Sequence, residues 1–474
     1  MHQMMKLCQL VFFLTSLLYL LHAGYEERAF FGDGLHYFIG MVESGGFSWH
    51  EPSRRIAHIV MKIPVVLAMQ TGIRDFHFLA RLYSLSLLVF PLLFTCIACL
   101  CLPKEKGYLF VYPVMIYLAG IAASSFYPIG EAQFGATYFW LIAFLLMYNP
   151  VQTWLSRLFI FALCLPVILV HEAYSFLGIL LLLVCAYRYS TSLTQSDRKF
   201  FIILCCWFIV VVLFNLYNVI EPRSPENRAG FIQGTLTLRF LGDFHPLFSP
   251  GKWKINGPAF LGIMGLGAMF LLISLCQRSY IKIILKLIVL VCSLYICVDI
   301  FNSCRTFWPG MQTNARAHGA ILSALVFPAM LYVERYAHQK FMISFKEICQ
   351  VIILISVAQM VWHTGATLHW SNYLHTIDSD LTRSTGVIAF EDSSISNNFI
   401  NGRPIKRMVL GHTIPCLSIT RAEHGMVKAI IDFPPNVRWQ PCNPYKPDEL
   451  PRLPGFTYRP FIQALNAGNQ KGGQ

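Results

Sequence analysis

The sequence predicts an all-α polytopic membrane protein with about eleven transmembrane helices, followed by a small extracytoplasmic C-terminal domain of α/β or β-rich character. Three observations carry that expectation. Of 474 residues, 55% are hydrophobic and only 13% charged, with mean hydropathy +0.54; soluble chains hold about 45–50% apolar and about 25% charged residues, so this composition excludes them. The apolar residues fall in runs long enough to span a bilayer core, separated by polar loops. Beyond residue 363 the hydropathy drops, and short strand-like runs take over between turn residues.

The first run, "LCQLVFFLTSLLYLLHAG" (7–24), is about 26 Å long as a helix, close to a bilayer core. The following "LLHAGYEE" offers a poor small-x-small cleavage site, so the run reads as an uncleaved signal anchor. Further spans are expected near 78–101, 108–127, 135–149, 158–170, 173–189, 199–220, 258–276, 281–302, 318–334 and 346–363. As a single helix, 157–188 would reach about 48 Å, too long for a core of roughly 30 Å even with tilt. Pro166 and the polar pair His171–Glu172 divide it into two.

Basic residues set the orientation. With the N-terminus inside, the cytoplasmic loops "PKEKG", "NPVQTWLSR", "YRYSTSLTQSDRK", "QRSYIK" and "VERYAHQKFMISFK" carry Lys or Arg, whereas the short outer loops "YPIGEAQFG" and "HEA" carry none. The chain thus divides into a transmembrane part (1–363), an outer C-terminal domain (364–465) and a tail (466–474, "NAGNQKGGQ") expected to be disordered. The first outer loop, 24–77, holds two helix-like stretches, "GLHYFIGMVE" and "SRRIAHIVMKIPVVLAMQ". A second outer loop covers 221–257, and "GVIAF", "RMVLGH" and "VKAIIDF" are the strand-like runs of the C-terminal domain.

A net charge of +13 is spread over these loops rather than gathered on one domain. That pattern fits attraction to a lipid bilayer or to phosphate-bearing lipid substrates better than nucleic acid. Most of the 15 cysteines sit inside apolar runs, where they act as small hydrophobes, and no CxxC has a partner pair, so neither a structural zinc nor a redox centre is expected. Cys304, Cys416 and Cys442 fall in loops or tail, and a Cys416–Cys442 disulfide is compatible with an oxidising compartment.

The conspicuous acidic and histidine residues near membrane boundaries all fall on the outer side: Asp33 in "GDGLHYF", Glu131 in "PIGEAQF", and the pair His171–Glu172. Ionisable groups near the hydrocarbon are costly and face a wet cavity or a partner. Gly-Asp-Gly favours a turn on its own account; the functional alternative for Asp33 is a carboxylate that accepts a proton from an attacking hydroxyl. Glu131, His171 and Glu172 are either structural ion pairs and helix-end caps or acid–base groups. A metal site needs three ligands, and "HE" lacks a second helical His, so no metal ligand is assigned; a divalent cation enters only if Asp33 and Glu131 converge on the pair. Outer arginines form the other half of the pattern: Arg54 and Arg55 open an amphipathic helix, Arg223 and Arg228 lie in "EPRSPENRAG", and Arg305 and Arg316 share a loop with Trp308 and His318. Guanidiniums suit bidentate phosphate binding, with snorkelling as the plain alternative for each.

One span, a long outer loop with two interfacial helices and an acidic residue near its start ("FFGDGLHYF"), many further spans and an outer C-terminal segment: this layout resembles the GT-C superfamily of integral membrane glycosyltransferases, O-antigen glucosyltransferases among them. The resemblance covers residues 1–363 in architecture and the tail in position only. It implies transfer of a sugar from a polyprenyl-phosphate-linked donor to a glycan or lipid acceptor of the cell envelope, at the outer face of a bacterial inner membrane. It places the general base at Asp33, with Glu131 and Glu172 orienting the acceptor or sharing the acid–base role, His171 tuning Glu172, and Arg305 and Arg316 holding the donor phosphate alongside Arg223, Arg228, Arg54 and Arg55. Many members carry paired acids where this chain has Asp33-Gly34, so a second carboxylate falls to Glu43, Glu131 or Glu172.

Three other classes compete, one of them a purely structural or assembly protein, which would leave the acidic and basic residues scattered. A lipid-linked oligosaccharide transporter or polymerase would share the outer arginines around a central basic cavity and be indifferent to Asp33. A membrane-bound acyltransferase would use His171 as base, facing a tunnel to a cytoplasmic acyl donor.

Overall fold

The helix α1 (His2–Tyr25) is built from an apolar run free of proline. In this computed structural model the described residues are 2–31, 33–47, 54–122, 130–149, 153–192, 194–220, 318–397, 399–400, 403–404, 413–434, 437 and 440–471. The expected spans at 258–276 and 281–302, the outer loop 221–257, and Arg223, Arg228, Cys304, Arg305, Trp308 and Arg316 lie outside them.

After α1 a single 3-10 turn (Arg28–Phe30) leads into two helices of the first outer loop, α2 (Asp33–Ser44) and α3 (Arg55–Gln70). Asp75 caps α4 (Phe76–Leu100) by accepting the Phe78 amide at 2.9 Å. The expected span at 108–127 is broken into short pieces: a 3-10 segment (Lys104–Phe110), α5 (Val111–Ile116) and a π turn (Tyr117–Ile121). Close packing accompanies the break, since a Cβ on Gly120 would lie 2.7 Å from the Gly319 Cα. Next come α6 (Glu131–Tyr148), α7 (Trp154–Cys164) with its Thr153–Ser156 capping box, a 3-10 turn (Leu165–Leu169), α8 (Tyr174–Thr191) and α9 (Gln195–Ile220). The stretch 157–188 is therefore interrupted around His171–Glu172. Past the residues not described, α10 (His318–Tyr332) continues through a π turn (Val333–Ala337) into α11 (His338–Ile343) and α12 (Phe345–Arg383).

The fold is mostly helical with little strand. Among the described residues α1, α4, α8, α9 and α12 are long and apolar enough to cross a membrane, as judged by length and composition, and α7 with its 3-10 extension is a shorter apolar segment. The longest, α12, runs for 39 residues, well past the expected boundary at 363.

Helix contacts define two ends of the bundle. The pairs Cys8–Cys349, Tyr19–His363 and Glu26–Trp370 are in register between α1 and α12, so these helices run parallel. Ala23 on α1 meets Ser84 on α4, while Met5 meets Gly107 just beyond α4, so α4 runs antiparallel to both. Cys8 and Glu26 stand about 27 Å apart along the helix axis, roughly a bilayer core. At one end Arg157 pairs with Asp197 at 2.7 Å, Arg188 donates to the Met147 carbonyl, and Glu334 takes both Lys106 at 2.8 Å and Tyr148 at 2.7 Å. The opposite end gathers the termini of α1 and α12, the helices α2 and α3, the start of α6 and the α7–α8 turn.

At that second end the C-terminal elements pack. β1 (Gly386–Ile388) leaves α12; then come the short α13 (Ser394–Asn397), an antiparallel pair of β2 (Phe399–Ile400) with β3 (Arg403–Pro404), α14 (Ile414–Thr420), β4 (Ala429–Ile431) and α15 (Arg459–Lys471). β1 and β4 are parallel, with Val387 opposite Ile430. A disulfide joins Cys416 to Cys442. The expected strand at "RMVLGH" lies outside the described residues, and the polar stretch from 466 continues as helix through Lys471.

Candidate functional site

The charged residues of α3 form a stripe. Arg54, His58 and Lys62 are spaced by four and so share one face of the helix. That face meets the start of α6: Gly130, with φ +85°, is so close to α3 that a Cβ there would come within 2.7 Å of the Met61 sulfur. The adjoining Glu131 is the first residue of α6, where the helix dipole favours a carboxylate. Its Oε1 lies 3.1 Å from His58 Nε2, an ion-pair distance between two almost fully buried side chains. One turn further along α6, Gly135 makes room for the α7–α8 turn, a Cβ there falling 3.3 Å from that of His171. Tyr174 secures this seat by donating to the Gly135 carbonyl at 3.0 Å.

The same turn carries Glu172. Arg54 Nε donates to both of its carboxylate oxygens at 3.0 Å, linking α3 to the α7–α8 turn. His171 Nδ1 accepts the Ala173 amide at 3.0 Å, and its Nε2 lies 3.6 Å from Glu172 Oε2. With Nδ1 accepting that hydrogen bond, the ring hydrogen sits on Nε2, directed to the carboxylate side. Lys62 is nearly inaccessible and stands over the Tyr37 ring at 5.3 Å, while Tyr37 meets His58 edge-on at 4.8 Å. Two carboxylates and four nitrogen-bearing side chains, Arg54, His58, Lys62 and His171, are thus gathered between four elements.

Their electrostatics are mutual. Burial alone would raise the Glu131 carboxyl, but His58, Arg54 and its own backbone amide outweigh this and hold it below the usual carboxylate range. Burial opposes the charge on Arg54, yet Glu131 and Glu172 more than offset it and its pKa rises. For Lys62 desolvation prevails over the pull of Glu131, and its pKa falls to about 8.

Asp33 opens α2, four residues before Tyr37 and on the same helical face. Gly34 has a packing reason: a Cβ there would lie 2.1 Å from the Ala29 carbonyl oxygen, so only glycine lets α2 begin this close to the preceding turn. Of the other expected site residues, Arg55 is on the exposed side of α3, and Glu43 accepts the Arg452 amide at 3.1 Å, away from the cluster. His58, Lys62 and Tyr37 were not singled out from sequence, although the spacing of four from Arg54 is visible in "RRIAHIVMK". Among the described residues no three of His, Cys, Asp and Glu are grouped as metal ligands.

No family model, no curated protein and no solved structure matches the chain. The cluster offers one carboxylate, Glu131, held below the usual carboxylate range, and a second, Glu172, bound by the Arg54 guanidinium.

A second charged group ties the C-terminal elements to the first loop. Arg421, after α14, clasps Asp378 of α12 at 2.7 and 2.5 Å and reaches the buried Glu27 at 3.3 Å. Glu27, held at φ +53°, also meets His77 at 3.0 Å. The C-terminal elements thereby pack beside α2.

Proposed function

We propose that this chain is a membrane glycosyltransferase of the GT-C kind, moving a sugar from a polyprenyl-phosphate donor to an envelope glycan or lipid acceptor at the outer face of a bacterial inner membrane. The observation that carries the reading is the Arg54–His58–Lys62 stripe set against Glu131 and Glu172, in the first loop and beside the helix that Asp33 opens. In the proposed reaction the acceptor hydroxyl attacks the anomeric carbon, the bond from that carbon to the phosphate oxygen breaks, and polyprenyl phosphate leaves with the electron pair. The hydroxyl proton passes to Asp33, the general base. Glu131 and Glu172 hold the acceptor hydroxyls, and Arg54 and Lys62, together with Arg305, Arg316, Arg223 and Arg228, balance the negative charge growing on the phosphate.

Further support comes from the placement of the ends. The Cys416–Cys442 disulfide fits an oxidising compartment on the side of the cluster, while the opposite end carries Lys106, Arg157 and Arg188, as the positive-inside rule asks of a cytoplasmic face. Because α1 and α12 are parallel, any set of full spans from α1 through α12 is odd in number, a parity that eleven satisfies. The acyltransferase alternative fits less well, since His171 Nδ1 is taken by the Ala173 amide, which suits an orienting role better than a base.

The test is the sugar composition of surface glycan, by mass spectrometry, in cells lacking the chain and in cells given back the natural protein or Asp33→Asn at equal expression. The expected result is a sugar missing from the deletion, restored by the natural chain and not by the variant. An unchanged glycan in the deletion would overturn sugar transfer; full restoration by Asp33→Asn would remove Asp33 as base and favour the transporter.

A further inference from the structure

The end of the bundle opposite the charged cluster holds a groove of its own. It lies between the start of α1 and the junction of α11 with α12, has a volume of about 480 Å³, and is lined by Gln3, Met4, Leu7, Met342, Phe345 and Lys346. Four of these six are apolar, and Leu7 is half exposed to the surroundings of the bundle. The polar rim is one cation and one amide. Lys346 is the second residue of α12, whose N-cap Ser344 makes no side-chain cap, so the positive end of a 39-residue helix opens at the groove. The neighbouring acid, Glu347, does not line it.

We propose that this groove binds an anionic phospholipid from the leaflet at that end, with the phosphate on Lys346 and the first amides of α12 and an acyl chain along Met4, Leu7 and Met342. A soluble anion has no use for the apolar wall, and an uncharged apolar molecule has none for the cation at a helix N-terminus. An anionic lipid uses both, and the surrounding end is basic through the exposed Lys6 and Lys199. The lipid bridges α1 and α12, the two helices whose far ends carry the first loop and the C-terminal elements. The inference is independent of the sugar-transfer reading.

Native mass spectrometry of the purified full-length chain, titrated with phosphatidylglycerol or phosphatidylethanolamine, tests it. Phosphatidylglycerol is expected to be retained preferentially. Lys346→Gln should lower its occupancy roughly fivefold, the weight of one lysine near an anionic lipid surface, while Lys104→Gln, on the same end but outside the groove, should not. Leu7→Trp, which fills the apolar wall, should lower occupancy with the charge intact; thermal melting of each variant reports that it is folded. Equal retention of the two lipids, an equal loss from Lys104→Gln and Lys346→Gln, or displacement of the lipid by millimolar inorganic phosphate would each overturn the proposal.

Discussion

Lys62 shows how a single residue carries a signature of the site. It is almost wholly buried, and loss of water pulls its pKa down to about 8 despite Glu131 nearby. Between about 8 and the ordinary lysine value of 10.5 the unfolded chain binds this proton and the folded chain does not, so stability rises with pH across that interval. Below about 8 both states hold the proton, the folded one at a penalty. Lys62→Met keeps the bulk and removes the charge, and is expected to stabilise the chain by roughly 2 kcal/mol at pH 7. That gain should fade as pH climbs towards 10. Urea unfolding in detergent at both pH values measures it; a gain independent of pH would show that the lysine charge is not the cost. A stabilising removal is what a residue kept for function predicts. Sequence reading reached Arg54, Glu131, His171 and Glu172 because charge beside an apolar run is conspicuous. It passed over His58 and Lys62 because the buried face of an amphipathic helix is assumed to be apolar, and here that face is charged.

At the scale of elements, α12 separates two properties that hydropathy merges. The expected boundary at 363 marks where the sequence becomes polar, yet the helix continues to Arg383 because helix hydrogen bonding needs no apolar surroundings. Its polar turns have partners: Asp380 accepts the Ser394 amide at 2.6 Å, and Asp378 is clasped by Arg421. Hydropathy made most helices legible, including the division of 157–188. It did not show the short pieces of 104–121, where contact with Gly319 governs, nor the helical start of the polar tail. Arg421→Ala should unfasten the C-terminal elements. It leaves the buried Glu27 without one of its cations and costs about 3 kcal/mol, the lower end for a broken buried pair, because Asp378 is partly exposed. Limited proteolysis in detergent is expected to cut between 413 and 458 in the variant before the natural chain is touched. An unchanged digest would mean that packing of Phe76 on Phe456, with centroids 5.0 Å apart, suffices to hold these elements.

For the whole molecule the decisive property is that its two ends differ chemically. One gathers a disulfide, a mixed-charge cluster and the C-terminal elements; the other gathers Lys and Arg and the thiols Cys8 and Cys349. In a membrane those ends must lie on opposite faces, because α1 and α12 run parallel over about a bilayer thickness and α4 returns between them. Impermeant maleimide labelling of single cysteines, in a background where the free cysteines are replaced and Cys416 and Cys442 retained, resolves this directly. Lys104→Cys lies just past α4 and should label only after the membrane is opened, whereas Glu423→Cys, 64% exposed beyond α14, should label on intact cells. Labelling of both positions from one side would break the arrangement at its root, since no bilayer-spanning placement of parallel α1 and α12 puts residues 104 and 423 on the same face. The reverse assignment, 104 outside and 423 inside, would preserve the helices but move the charged cluster into the cytoplasm. Polyprenyl-linked transfer at an outer face would then be excluded, while the lysine-rimmed groove would face the external leaflet.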